Sequence, residues 1–247
     1  MARYLSVNDI INRAALECGL RPSAAPVSDV DENFQQMVAL LDSAGQEMSE
    51  LNAWPSLIRK LTLVAPDAVD GMFDLPPDFN YMIDQTGWDR KNRVALGGPL
   101  SPQDWTYLQG RDLVSQSIYV VFRQAQGKLE VFPQPPPEGM EITFEYISRN
   151  WLQEVGQDDI EQFRDTIGDG SNLCLLPGLM MIKMLKMKWL SAKGFDATAA
   201  SLEFDTIFQG QIGKAEGAPI LSAGQNGRTF PYLSPLFNTG DSGYGGG

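Results

Sequence analysis

The sequence predicts an α+β protein: a four-helix body of two N-terminal and two C-terminal helices, an inserted antiparallel β-domain, and an extended C-terminal tail. Three observations carry this prediction. Apolar residues recur at helical spacing in the first and last thirds of the folded part. The stretch between them instead holds short β-branched and aromatic runs set off by Gly and Pro. The end of the chain changes character again, becoming rich in Gly, Pro and Ser. The boundaries this implies are 1–55 and 156–217 for the helical body, 56–155 for the β-insertion, and 218–247 for the arm.

Each element follows in order. Ser6 with Asp9 resembles a capping box, after which Val7, Ile10, Ile11, Ala14 and Cys18 mark one helical face until Gly19 stops it. Beyond LRPSAAPVS, Ser28 is placed to cap a second helix. Its stripe Val30, Phe34, Met37, Leu41, Ala44, Met48 and Leu51 alternates steps of four and three and ends before Trp54-Pro55. A core face in a bundle explains this stripe better than a free coiled coil, which would need more heptads. The runs Leu57 to Ala65, Ser117 to Arg123, Lys128 to Phe132 and Met140 to Ser148 then read as strands, with FRQAQGKLEVF as a hairpin. Pro177 suits the start of a third long helix, LMMIKMLKMKWLSA, which Gly194 closes. Lys183, Lys186, Lys188 and Lys193 sit toward its C-terminal end, where they complement the dipole and form a solvated or partner-facing surface. A last helix from Asp196 to about Gly213 places Ala200, Phe204, Ile207 and Phe208 on one face.

Composition narrows function by exclusion. With 247 residues, 43% hydrophobic and 20% charged, the chain can bury a substantial core. A net charge of -12 is the wrong sign for neutralising phosphates, so sequence-reading nucleic-acid binding is not expected. MARYLSVND lacks the layout of a signal peptide, and no run reaches the roughly 18 apolar residues of a membrane helix, so the expected site of synthesis and storage is cytosol, with no membrane partner. Cys18 and Cys174 fall in apolar helix-like contexts that suit reduced, buried thiols. The absence of histidine removes Ser-His-Asp and Cys-His catalysis and His-ligated zinc, leaving carboxylate or lysine chemistry.

Carboxylates are offered in one place, FDLPPDFNYMIDQTGWDR, which contains Asp74, Asp78, Asp84 and Asp89. A glycosidase needs two of them flanking one bond. Structural use is the better reading: Leu75-Pro76-Pro77-Asp78-Phe79 is a turn leading into a short helical segment that Asp78 can cap. Residues 165–176, DTIGDGSNLCLL, match a calcium loop at Asp165, Asp169 and Gly170 but have Ile167 and Leu176 where ligands are required, so a helix-capping loop is preferred and no metal is expected. No phosphate-binding glycine loop occurs, and no cofactor is expected.

LPPDFNYMIDQTGWDR followed by GGPLSPQDWTYL resembles the head-to-tail adaptor proteins of tailed bacteriophages, the connector or tail tubular protein A-like family. VVFRQAQGKLEVFPQPPPEGMEITFEYISRNW is similar to that family's hairpin and FEYIS strand, and LLPGLMMIKMLKMKWLSAKGFD to its closing helix; together these span roughly residues 73 to 196. The segment DGSNLCLLPGLMM departs from the more charged pattern of the family.

The resemblance implies a structural virion protein without catalytic activity. It would form a homo-oligomeric ring of about twelve copies beneath the portal protein, carry the next tail protein, and surround the passing genomic DNA. Its place would be the head-tail junction of the virion, after assembly in the host cytoplasm. It also implies that Asp78, Trp88, Asp89, Arg90 and Trp105 are family-motif residues with architectural roles. Asp89 and Arg90 would form an ion pair or hydrogen-bonded corner beside Trp88, and Trp105 an apolar anchor. The arm carries spaced apolar residues, Phe230, Tyr232, Leu233, Leu236 and Phe237, suited to docking on the portal or a neighbouring subunit. Two other readings stay open at this level: a tail terminator or baseplate ring component, and a carboxylate-based tail hydrolase.

Overall fold

Ser6 opens the first helix: its oxygen accepts the Asp9 amide at 3.1 Å and its O–H donates to the Asp9 carboxylate, fixing the start of α1 (Val7–Glu17). Gly19, at φ +79°, closes it, with the Leu20 amide returning to the Ala15 carbonyl. The computed structural model describes residues 4–67, 71–110, 120–154 and 162–215, all within the unit Met1–Ala215.

The second helix, α2 (Glu32–Leu51), starts later than Ser28. Pro26–Ser28 forms a short 3-10 turn, the Asp29 carboxylate accepts the Asp31 amide, and the Asp31 carboxylate then caps the helix by accepting the Asn33 amide at 2.8 Å. Val30 therefore precedes the helix and is 88% exposed, and the buried stripe is Phe34, Met37, Leu41, Ala44 and Met48. Removing a Leu or Met side chain of this kind from water contributes about 2 kcal/mol.

Beyond Trp54 the backbone turns to antiparallel strands. The centre of the largest sheet is β8 (Glu141–Ser148), which pairs on one side with β1 (Ile58–Val64) from Ile58↔Ile147 to Val64↔Glu141. On its other side lie β3 (Phe79–Met82) and β4 (Trp88–Asp89), and β4 carries β5 (Val94–Ala95). A second sheet orders β2 (Met72–Asp74), β7 (Lys128–Phe132) and β6 (Val121–Ala125). The β6–β7 hairpin turns through Gln126 and Gly127, both at positive φ, as a two-residue primed turn demands. A third sheet holds β9 (Leu152–Glu154) between β10 (Gln162–Arg164) and β11 (Leu173–Cys174).

A further helix, α3 (Pro102–Gly110), lies between β5 and β6, where the sequence reading places no element; Ser101 and Asp104 form at its start the same reciprocal box as Ser6 and Asp9. The chain then enters α4 (Gly178–Ala192), for which Pro177 is the flanking residue rather than the first helical one. Gly194, at φ +76°, ends it, and the Asp196 carboxylate accepts the Thr198 amide to start α5 (Thr198–Ala215).

The protein is thus mixed helix and antiparallel sheet, with two apolar cores. Helix α4 packs against α1, α2 and α5, and its Met181, Met184 and Leu185 meet Ile10, Met37, Leu41 and Trp151 in one core. Phe73, Phe122, Leu129, Ile142, Phe144 and Tyr146 form the other, between sheets. Cys174 is buried, Cys18 half-buried, and both are free. No helix among the described residues is long and apolar enough to cross a membrane.

Candidate functional site

Three of the residues singled out in the sequence, Asp78, Trp88 and Asp89, meet on β8. Strand alternation puts Tyr146 and Ser148 on one side of it, and both hydroxyls donate to the Asp78 carboxylate, Tyr146 at 3.2 Å to each oxygen and Ser148 at 2.7 Å. The Asp78 carbonyl accepts the Arg149 amide at 2.8 Å, and the Arg149 guanidinium reaches the Phe79 carbonyl at 2.9 Å. Asp78 therefore does not cap a helix: the chain after it is β3, because its side chain is drawn to two hydroxyls on the neighbouring strand. Burial, then the charge of Asp78 and its hydrogen bond, push the Tyr146 phenol up to about 12.

Six residues beyond the end of β3, Trp88 and Asp89 pair with Thr143 and Ile142 of the same β8. Asp89 is fully buried, and its carboxylate accepts the Lys91 amide (3.0 Å), the Asn92 amide (3.3 Å) and the Asn92 side chain (2.7 Å). Asp89 does form a hydrogen-bonded corner, but with Lys91 and Asn92 rather than with Arg90, which is exposed and makes no ion pair with Asp89 among the described residues, because the carboxylate faces the turn that follows it. Trp105 on α3 is 1% exposed, and the Arg123 guanidinium lies 4.7 Å from its ring centroid while also pairing with Glu130 across the hairpin. Trp105 thus anchors α3 to the second sheet.

The four aspartates have separate surroundings. Asp74 pairs with Lys128 at 2.8 Å, Asp78 holds Tyr146 and Ser148, and Asp89 closes a turn. Asp84 is exposed beside a small hollow of about 90 Å³ lined by Tyr81, Gln85, Gly98 and Phe122. Among the described residues no group of three acidic or cysteine side chains is arranged to hold a metal ion.

The loop 165–172 caps a helix, though with carbonyls rather than acids: the Val7 and Asn8 amides at the start of α1 donate to the Asn172 and Gly170 carbonyls at 2.9 and 3.0 Å. The buried Asn172 side chain shapes this loop by accepting the Gly168 and Asp169 amides. The α4 lysines are tied inward. Lys183 and Lys186 reach Glu17 of α1 and Glu203 of α5, Lys188 reaches Glu47 of α2, and Lys193 lies over the Trp189 ring. Burial raises the Glu17 carboxyl, but its hydrogen bonds from Lys183 and Lys186 outweigh this and hold it below its ordinary range. The arm residues Phe230, Tyr232, Leu233, Leu236 and Phe237 lie outside the described residues.

Sequence reasoning missed the partners of these residues: Tyr146 and Ser148 for Asp78, Asn92 for Asp89, Arg123 for Trp105, and Glu17 and Glu203 for the lysines. One signal was present, the two-residue spacing of Tyr146 and Ser148 in FEYIS. No family model matches the chain, and no curated protein matches it.

Proposed function

We propose that this chain is a head-to-tail adaptor of a tailed bacteriophage. Copies of it form a ring, of about twelve, between the portal protein above and the next tail protein below, with genomic DNA passing through the lumen without sequence-specific contact. In this reading α1, α2, α4 and α5 form a four-helix body (1–55 and 156–217), the strands of 56–155 form the insertion that faces the tail, and 218–247 form a C-terminal arm. Its role is mechanical and needs no catalytic residue.

The observation that supports this reading is the way the motif stretches join. LPPDF, WDR and FEYIS, separated in sequence, form one hydrogen-bonded unit on β8, and GPLSPQDW starts the helix whose Trp105 packs under Arg123. Asp78 ties two hydroxyls of β8, Asp89 closes a backbone turn, and Trp105 packs under Arg123, each a structural contact. The net charge of -12 suits a conduit that must let a polyanion slide, since it offers few cations to hold it.

The direct test mixes the protein with purified portal rings and determines mass and symmetry by native mass spectrometry and electron microscopy. A ring of copies capping the portal is expected. A protein that remains unbound to the portal while joining another tail ring overturns the portal-facing position. Replacing Phe230, Tyr232 and Phe237 together with Ser is expected to leave a folded protein that no longer binds the portal, with circular dichroism checking the fold.

A further inference from the structure

Helix α5 is held by different means from its neighbours. Of its 18 residues only Ala200 and Phe204 are buried, against six of 15 in α4, so its apolar attachment is thin. Phe204 stacks on Phe208 at 5.5 Å, and Phe208 meets the Trp54 ring at 6.2 Å. Leu202 faces outward at 64% exposure. Ile207 and Ala215 add partly buried apolar contacts to the same core, and the rest of the attachment is ionic. Glu203 lies 3.3 Å from Lys183 and 3.4 Å from Lys186, and the same two lysines reach Glu17 at 2.8 and 3.2 Å. Four charges on three helices thus close one network, with two lysines of α4 shared between an acid of α1 and an acid of α5.

The elbow before α5 is also loosely filled. Gly194 sits at φ +76°, Phe195 is 59% exposed, and an open hollow of about 590 Å³ lies between the elbow and the two helices, lined by Met187, Ser191, Thr198 and Leu202. The elbow itself is held by the Phe195 amide on the Leu190 carbonyl at 2.9 Å and by the Phe195 ring against Trp189 at 6.2 Å, while the hollow beside it is unfilled by protein atoms.

We propose that α5 is a latch: it opens as a unit of its own, and the Glu17–Lys183–Lys186–Glu203 network sets how often, so that ionic strength releases it. This is independent of the adaptor reading. Local units of low stability are those with few buried apolar contacts, which is the condition of α5. The network is partly exposed, with Glu203 about half open to solvent, so its charges are screened as the Debye length falls from about 10 Å at 0.1 M salt to about 3 Å at 1 M. Hydrogen bonds from Lys183 and Lys186 hold the Glu203 carboxyl below its ordinary range, in keeping with a charge that is stabilised while the latch is closed.

Hydrogen–deuterium exchange of the full chain, read by mass spectrometry on α5 peptides with α4 as internal reference, tests this at about 0.1 M and about 1 M sodium chloride. Three proteins are compared: the native chain, Glu203→Gln, and Asp205→Asn, which removes the same charge from the same helix at a position with no ion pair among the described residues. In the native chain α5 is expected to exchange faster than α4, and to accelerate a further several-fold at high salt. Glu203→Gln is expected to raise α5 exchange about two- to fivefold at low salt, the range of a partly exposed ion pair, and to blunt the salt response. Asp205→Asn is expected to change neither. Exchange of α4 and α5 at one common rate at both salt concentrations overturns the latch. So does a salt response that survives in full in Glu203→Gln or is lost equally in Asp205→Asn.

Discussion

Gly45 lies in the middle of α2, a position where alanine ordinarily stabilises a helix by about 1 kcal/mol. Here the sign should reverse. A Cβ at Gly45 would stand 2.1, 2.3 and 2.4 Å from Cε2, Cδ2 and Cζ2 of Trp151. To reach ordinary carbon contact of ~3.5 Å or more, the ring and the helix must part by about 1.4 Å. Trp151 has little freedom to do so: it is fully buried, and its indole N–H donates to the Asp165 carbonyl at 2.8 Å. Overpacking of this kind costs about 1–3 kcal/mol, and disturbing the indole hydrogen bond about 1 more. Set against the helix gain, Gly45→Ala should destabilise the protein by about 1–3 kcal/mol. Gly210 supplies the control, because a Cβ there meets nothing within 4 Å, so Gly210→Ala should stabilise by about 0.5–1 kcal/mol. Urea unfolding followed by circular dichroism and tryptophan fluorescence measures both. A Gly45→Ala protein as stable as Gly210→Ala would refute the reasoning, since it would mean that α2 and Trp151 are not in close contact.

Asp78→Ala should lower the Tyr146 phenol from about 12 toward its ordinary range, because two of the causes that raise it, the charge and the hydrogen bond of Asp78, are removed while burial remains; tyrosinate absorbance in an alkaline titration reads this. The same group sets an alkaline limit. A phenol whose folded pKa is raised contributes stability that is intact below about pH 10 and is lost as pH rises toward 12, so the urea midpoint of the native chain should fall over that window and fall less in Tyr146→Phe. On the acid side, Glu17 and Glu203 are both held below their ordinary range by the α4 lysines, so their contribution is complete above about pH 4.5 and is lost as pH falls through their lowered values. Urea midpoints between about pH 6 and pH 3 should decline at the low end, and less steeply in a Glu17→Gln, Glu203→Gln double variant.

What was legible in the sequence was local. The Ser6–Asp9 box, the Phe34–Met48 stripe and the Gln126-Gly127 turn each act within a few residues, and each stands where the spacing placed it. Helix α3 was legible too and went unread: SPQD repeats the logic of SVND, and both serines cap through the aspartate three residues on. Strands of two residues, β4, β5 and β11, are too short to show a period, and they exist because a partner strand supplies their hydrogen bonds. The same limit applied to the site. Asp78 and Tyr146 are 68 residues apart, and a carboxylate after Pro-Pro suits a helix cap until a pair of hydroxyls on another strand outbids the backbone amides. The start of α2 was misplaced for a related reason: Ser28 has cap chemistry, but Pro26 and Asp29 build a turn first and pass the role to Asp31.

Strand β8 explains why the insertion and the helices cannot be treated as separate bodies on a flexible joint. Its Ile142, Phe144 and Tyr146 belong to the core between sheets, whereas Ile147, the next residue, is fully buried in the core built around α4, followed by Trp151 and Leu152. Ile58 of β1 and Tyr81 of β3, the two strands that flank the end of β8, also lean on the helical core. Three adjacent strands therefore enter both cores, and the Asp78 network with Tyr146 and Ser148 lies at the point where they cross from one to the other. Packed cores resist continuous deformation, so displacement of the sheets must be carried into α2 and α4 rather than absorbed between them. In the proposed adaptor that rigidity would suit a subunit that carries load between rings, and the proposed latch would make α5, of which only Ala200 and Phe204 are buried, the helix that moves by itself.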